Sequence, residues 1–222
     1  MGVYPSGQRG QTVNLLQVAT VVRTHPLPPT KSSFFGMSFF VIYKSFYKCY
    51  NNVKGGDKMK TAYFAGGCFW CITPTFKELE GVTEVTSGYC GGDEINPTYK
   101  EVKSQKTGHR ETIKIDYDSE KVSFAELFEI FLGGVDPFDS EGQFIDKGFS
   151  YTLAIYYNDI IEKETAEKMI SELEKESGKT VFVSIEPFKA FYTAEEEHQD
   201  YYLKHPAEFE KELIESGRKK PE

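Results

Sequence analysis

The chain has 222 residues, a formal net charge of −8, 39% hydrophobic residues and 15% aromatics: enough apolar side chain for one packed core, and too acidic for a general nucleic-acid binder. Four cysteines exclude a disulfide-stapled scaffold, and the longest uncharged apolar stretch, residues 32–43, falls short of the roughly 20 residues a membrane-spanning helix needs. A soluble globular protein with reduced thiols, either buried or chemically active, is the expected class.

The first 58 residues differ from the rest. They hold seven of the 26 Lys and Arg against one acid, Asp57, a balance of +6, so the remainder carries −14. A sign change of that size marks a boundary. Pro5, Gly7, Gly10, Pro26, Pro28 and Pro29 interrupt the segment, and no amphipathic face persists. Arg23 and Lys31 ahead of the apolar run suit a secretion signal, but Lys44, Tyr47, Lys48 and Cys49 follow with no small-residue cleavage site. Gly55-Gly56-Asp57, just before Met59, is encodable as GGA-GGT-GAT, which reads as a bacterial ribosome-binding sequence. Translation is therefore expected to start at Met59. Residues 1–58 would be a non-native or disordered extension, discounting Cys49 with it, and 59–222 a single catalytic domain. Intact mass of the protein made in its own host checks this; a mass for all 222 residues refutes it.

From Met59 the pattern is regular. Residues 61–65 form a short apolar strand halted by Gly66-Gly67. A helix follows with Phe69, Ile72, Phe76 and Leu79 on one face, ending at Gly81; Thr73-Pro74 is either its N-cap and N1 pair or lies in its first two turns. Residues 82–89 alternate as a strand closed by Gly91-Gly92, and Thr112, Ile113, Ile115 and Tyr117 form the next. Ser123 caps a helix facing Phe124, Leu127, Phe128 and Phe131 to the core, with Glu126 completing a capping box. Residues 133–150 read as a long functional loop. Residues 151–157 are a strand, 159–177 a charged helix stopped by Gly178, and 181–186 a further strand. A short acidic helix with His198 and a polar tail close the chain. This order predicts an α+β fold: a two-layer α/β sandwich in a ferredoxin-like split βαβ arrangement with long functional loops.

The chemistry gathers at Gly66-Gly67-Cys68-Phe69-Trp70-Cys71. A cysteine between a strand's Gly-Gly turn and a helix start faces unpaired amide donors and the positive end of the helix dipole, which lower a thiol's pKa from about 8.5 toward neutrality. Such a thiolate attacks electrophiles and is itself oxidised to sulfenic acid. Cys71, three residues on, is near enough to resolve that acid as a disulfide. A lone C-x-x-C is also half a zinc site, but no second Cys or His pair has ligand spacing, so no metal and no cofactor is expected. Thioredoxin-like motifs place small or turn-forming residues where this chain has Phe69 and Trp70. Those aromatics either wall an apolar pocket or are plain core residues.

The surrounding motifs are Gly88-Tyr89-Cys90-Gly91-Gly92, Asn96-Pro97-Thr98-Tyr99, Thr107-Gly108-His109-Arg110-Glu111, Asp136-Pro137, Ile145-Asp146-Lys147-Gly148 and the late segment 194–202. With Cys-Phe-Trp, their order resembles the A-type peptide methionine sulfoxide reductases over about residues 60–206. The resemblance implies thiol-dependent reduction of methionine S-sulfoxide, free or in peptides, for repair of oxidised proteins, with Cys68 as nucleophile. It implies Glu111 as the acid, neutral in a desolvated pocket, Tyr99 and Tyr151 as hydroxyl donors to the sulfoxide oxygen, and Asp146 as an ordering carboxylate. Phe69 and Trp70 would hold the substrate methyl group. Thioredoxin or a similar dithiol would restore Cys68 in a cytoplasmic monomer needing no nucleic acid or membrane.

The chain departs from the common pattern. No cysteine follows Cys90, so Cys71, Cys90 or an external thiol must resolve the sulfenic acid, in that order of preference. Gly148-Phe149-Ser150-Tyr151-Thr152 lacks the arginine that relatives often carry after the tyrosine. A general disulfide oxidoreductase and a non-enzymatic module gripping methionine-like side chains are the competing readings.

Overall fold

The computed structural model describes residues 58–219. The extension expected over residues 1–58, Cys49 included, lies outside them but for Lys58.

Strand β1 (Met59–Gly66) leads through Gly67 and Cys68 into α1 (Phe69–Lys77). Then come β2 (Val82–Cys90), the short α2 (Tyr99–Lys103), β3 (Arg110–Asp118) and α3 (Phe124–Gly134). A two-residue hairpin, β4 (Gly142–Gln143) with β5 (Asp146–Lys147), and a 3-10 turn (Phe149–Tyr151) precede β6 (Leu153–Tyr157). The chain ends in α4 (Ile160–Ser177), β7 (Val183–Pro187), β8 (Phe191–Thr193), a second 3-10 turn (Glu196–His198), α5 (Tyr201–Lys204) and α6 (Pro206–Glu215). Six strands form one sheet in the order β7-β6-β1-β3-β2-β8. Strand β1 is antiparallel to both β3 and β6, β3 to β2 and β2 to β8; β6 and β7 run parallel.

Both faces of the sheet are buried, as the period-2 alternation of side chains requires. On one face Ala62, Phe64, Ile113, Ile115, Leu153 and Ile155 meet α1, α3 and α4. Phe64 is the hub, with ring centroids of Phe76, Phe124, Phe128 and Phe131 at 5.1–6.1 Å. On the other face lie Tyr63, Ala65, Cys90, Ala154 and Tyr156, with Phe188 stacked on Tyr63 at 4.1 Å.

The helix ends follow their side chains. Ser123 and Glu126 form the expected capping box, and Asp159 Oδ1 accepts from the amides of Ile161 and Glu162. Gly178 closes α4 at φ +67°, the left-handed conformation glycine adopts freely. Pro74 sits in the second turn of α1, where Thr73 Oγ1 donates to Phe69 O at 2.7 Å.

Two expectations need correction, and one short helix was not foreseen. The stretch 133–150 is not one irregular loop: α3 runs on to Gly134, and the β4–β5 hairpin is pinned by the buried Gln143, whose side chain bonds the Asp136 amide and carbonyl. Residues 99–103 form a helix set by a Thr98–Glu101 capping box. The polar tail is the helical pair α5–α6, and α6 packs Phe209 and Leu213 onto Cys68 and Cys71. No helix among the described residues is long and apolar enough to cross a membrane.

Candidate active site

The end of β1 delivers Cys68 to the N-cap of α1, whose first turn the Cys71 amide closes on Cys68 O at 3.0 Å. Gly67, at φ +77°, permits the turn, and a Cβ there would lie 2.6 Å from Gln143 Cβ, so the hairpin packs directly against the thiol's loop. The sulfur does not stand open. Cys68 is 4% exposed and Cys71 fully buried. The Cys68 thiol donates to Glu212 Oε1 of α6 at 3.3 Å, and Cys71 Sγ lies 4.0 Å from the same oxygen. Arg218 Nη1 donates to Cys71 Sγ at 3.4 Å.

The expected lowering of the Cys68 pKa is therefore overturned. The neighbouring Cys71 sulfur, burial and the carboxylates of Glu111 and Glu212 push it well up, so the resting group is a thiol. The helix terminus acts on it, but negative and apolar surroundings outweigh a half-charge dipole. Cys68, Cys71 and Glu212 bring three soft and hard donor atoms within 4.8 Å of one another, the geometry of a cation site, and the Arg218 guanidinium already places positive charge there.

Opposite stands Glu111, in phase with Ile113 and Ile115 and so on the helix-covered face of β3. It is 1% exposed; its Oε2 accepts from the Phe69 amide at 3.1 Å, and the buried Oε1 has no close hydrogen-bond partner among the described residues, with the Tyr151 hydroxyl as its nearest polar influence. Burial raises its pKa from 4.5 to about 8; the Phe69 amide opposes that rise and the charge of Asp146 adds to it. A carboxyl so held is protonated at neutral pH, as the acid role demands. Asp146 of β5 has a buried Oδ2 without a hydrogen-bond partner among the described residues, and burial raises its pKa too, against the pull of Arg218 and Lys103.

Tyr99 and Tyr151 gather at the same place, both near enough to Glu111, Asp146 and Cys68 to be coupled to their ionisation, and burial first of all keeps both phenols protonated as donors. Tyr99 is fixed by its amide, which donates to Glu195 Oε1 at 2.9 Å, while Glu195 Oε2 accepts from the Tyr89 hydroxyl at 2.9 Å. Ser150 is clamped by Gln105 through two hydrogen bonds. Arg110 donates to Thr152 Oγ1 at 2.8 Å and covers the Phe149 ring, so a cation from β3 secures the turn that lacks its usual arginine.

Phe69 and Trp70 part company. Phe69 is fully buried among Tyr89, Tyr99 and His198, whereas Trp70 reaches the surface in part, its ring stacked 3.9 Å from Tyr201. Cys90 lies on the far face of the sheet, its thiol donating to Ala190 O at 3.1 Å. Glu212 and Arg218 escaped the sequence reading, and Glu195, His198 and Tyr201 lie in the late segment 194–202, which that reading singled out without giving them a role. Pro206 at N1 with Phe209 and Leu213 four apart was the available signal for α6.

A family model described as peptide methionine sulfoxide reductase matches residues 60–222. The chain belongs to that family. It is an enzyme that reduces methionine sulfoxide. It is 47% identical over 146 residues to peptide methionine sulfoxide reductase MsrA of Picrophilus torridus, covering 65% of this chain and 82% of that protein. It is 43% identical over 153 residues to the MsrA of Streptococcus agalactiae serotype Ia, covering 68% and 90%. Among solved structures, Mxr1 of Saccharomyces cerevisiae in reduced form superposes with a TM-score of 0.63 at 31% identity, covering 68% of this chain and 87% of that one. Methionine sulfoxide reductase A of Corynebacterium diphtheriae gives 0.62 at 30% identity over 68% and 77%. Both neighbours share the mixed α/β architecture with its curled six-stranded sheet.

Proposed function

We propose that residues 59–222 are one catalytic domain that reduces the S epimer of methionine sulfoxide, free or in peptides and proteins. Cys68 attacks the sulfoxide sulfur while Glu111 protonates its oxygen, the thiol's own proton replacing the one Glu111 gives up. The substrate leaves as the thioether and Cys68 holds the oxygen as sulfenic acid. Tyr99 and Tyr151 donate hydrogen bonds to the oxygen as it gains charge, and Asp146 orders them. Trp70, with Phe69 behind it, bounds the niche for the substrate methyl group. The observation that carries this reading is Glu111: a buried carboxyl held neutral to about pH 8 and bonded to the amide next to Cys68.

Cys71 is the resolving cysteine. Its sulfur shares a carboxylate oxygen with Cys68, while Cys90 has the sheet between it and the nucleophile. Thioredoxin or a similar dithiol then reduces the Cys68–Cys71 disulfide, in a cytoplasmic monomer without cofactor, metal, nucleic acid or membrane, repairing oxidised proteins under oxidative stress. The strand order β6-β1-β3-β2, with α1 between β1 and β2 and α3 between β3 and β6, supports a ferredoxin-like split βαβ core flanked by β7 and β8.

Incubation with dithiothreitol and each sulfoxide epimer tests the activity: methionine is expected from the S epimer alone. Equal turnover of both epimers, or insulin disulfide reduction without methionine, would overturn it. Cys90→Ser is expected to leave methionine release and disulfide formation within about twofold of the parent, since surface-distant sites act independently; loss of the disulfide in mass spectra of that variant would restore Cys90 as resolver.

A further inference from the structure

The sulfenic acid stage needs a proton relay that Glu111 does not offer. Glu111 serves Cys68 from β3, and its Oε2 is bonded to the Phe69 amide. When Cys71 attacks, a thiol proton must leave one sulfur and a hydroxide must leave the other. One carboxylate oxygen stands against both sulfurs: Glu212 Oε1, 3.3 Å from Cys68 Sγ and 4.0 Å from Cys71 Sγ. It is carried by α6, which Phe209 and Leu213 seat on the same two cysteines. Arg218 follows two residues past that helix's C-cap and donates to Cys71 Sγ at 3.4 Å, putting positive charge where the attacking sulfur becomes anionic.

We propose that Glu212 is the proton shuttle of the disulfide-forming step. It takes the proton of the Cys71 thiol as the Cys71 sulfur attacks the Cys68 sulfenic sulfur, and passes it to the departing hydroxide. The Cys68–Cys71 bond forms, the S–O bond breaks, and one water leaves; the sulfenic sulfur of Cys68 is reduced and the Cys71 thiol oxidised, with Glu212 returned to its starting state. The inference rests on Cys68 as nucleophile and Cys71 as resolver, and adds the group that couples them. Because Glu212 touches both reacting sulfurs, it is a catalytic residue for this step and not merely part of a covering helix.

A single-turnover experiment separates the steps. Reduced protein is mixed with methionine sulfoxide without reductant and quenched at intervals. Methionine reports the first step; dimedone-trapped Cys68 and the Cys68–Cys71 disulfide, both read by mass spectrometry, report the second. Glu212→Gln, which keeps shape but cannot carry the proton, is expected to slow disulfide formation about 100-fold relative to methionine release, the size of a general acid–base contribution. Dimedone adduct accumulates meanwhile. Glu212→Ala is expected to recover part of its disulfide rate on addition of acetate, which no structural role explains. Thioredoxin-driven turnover falls with the disulfide rate, whereas dithiothreitol-driven turnover falls less because that thiol attacks the sulfenic acid directly. A Gln variant that closes the disulfide at the parent rate, or an Ala variant deaf to acetate, overturns the shuttle while leaving the catalytic reading intact. A parent protein that releases no methionine, or whose disulfide excludes Cys71, overturns both.

Discussion

Cys68→Ser is expected to abolish sulfoxide reduction, lowering kcat/KM by about 10⁴-fold or more, because a hydroxyl neither attacks the sulfoxide sulfur at neutral pH nor cycles through an oxidised state. The fold should survive. Cys68 stands at the N-cap of α1 without a side-chain capping bond, and serine is among the favoured residues there, so the variant's melting temperature should match or exceed the parent's. The measurement is methionine released from the S epimer, with thermal unfolding alongside. Turnover above one part in about a hundred would require another nucleophile and would remove Cys68 from the reaction, because residual catalysis by binding groups alone is far smaller than that.

Glu111→Gln is expected to cost about 10²- to 10³-fold in reduction while Cys68 still alkylates with iodoacetamide, since the amide holds the Phe69 hydrogen bond but has no proton to give. The pH dependence follows from the same group. With its pKa raised from 4.5 to about 8, the parent's acid is intact at neutral pH and its rate falls about tenfold per pH unit above about 8; the Gln variant loses that limb. Stability also falls with rising pH, over a lower range. Between about 4.5 and 8 the folded chain keeps a proton that the unfolded chain has released, so the carboxyl's stabilising share is complete below 4.5 and lost as pH rises through 8. Gln does not ionise, so the variant should melt above the parent at pH 8–9 and converge with it near pH 4. A melting difference independent of pH would contradict the buried-acid assignment.

How much of this was legible follows from how local each signal is. The Ser123–Glu126 box lies within four residues of the helix it starts and was readable as such, while Asp159, read as the first residue of its helix, is the cap one position before it. Glu111 is in phase with Ile113 and Ile115 of β3, but nothing local marked it as buried or linked it to the amide of Phe69, 42 positions away; only the family's motif order singled it out. The state of Cys68 was misread for the same reason. A helix N-terminus is visible in the sequence, whereas the carboxylate facing the thiol arrives from 144 residues downstream. Helix α6 hid because Glu208, Glu210, Glu212 and Glu215 make its composition polar, and its apolar stripe is essentially Phe209 and Leu213. Five-residue α2 was too short for any periodicity to register, although Thr98 and Glu101 carried its capping signature.

The placement of α6 has a consequence for traffic through the enzyme. With one sulfur 4% exposed and the other sealed, neither a damaged side chain on a bulky polypeptide nor a reducing protein can touch them while that last helix rests in its seat. The same helix holds Glu212 against both sulfurs, so its packing governs at once how open the thiols are and how the carboxylate meets them.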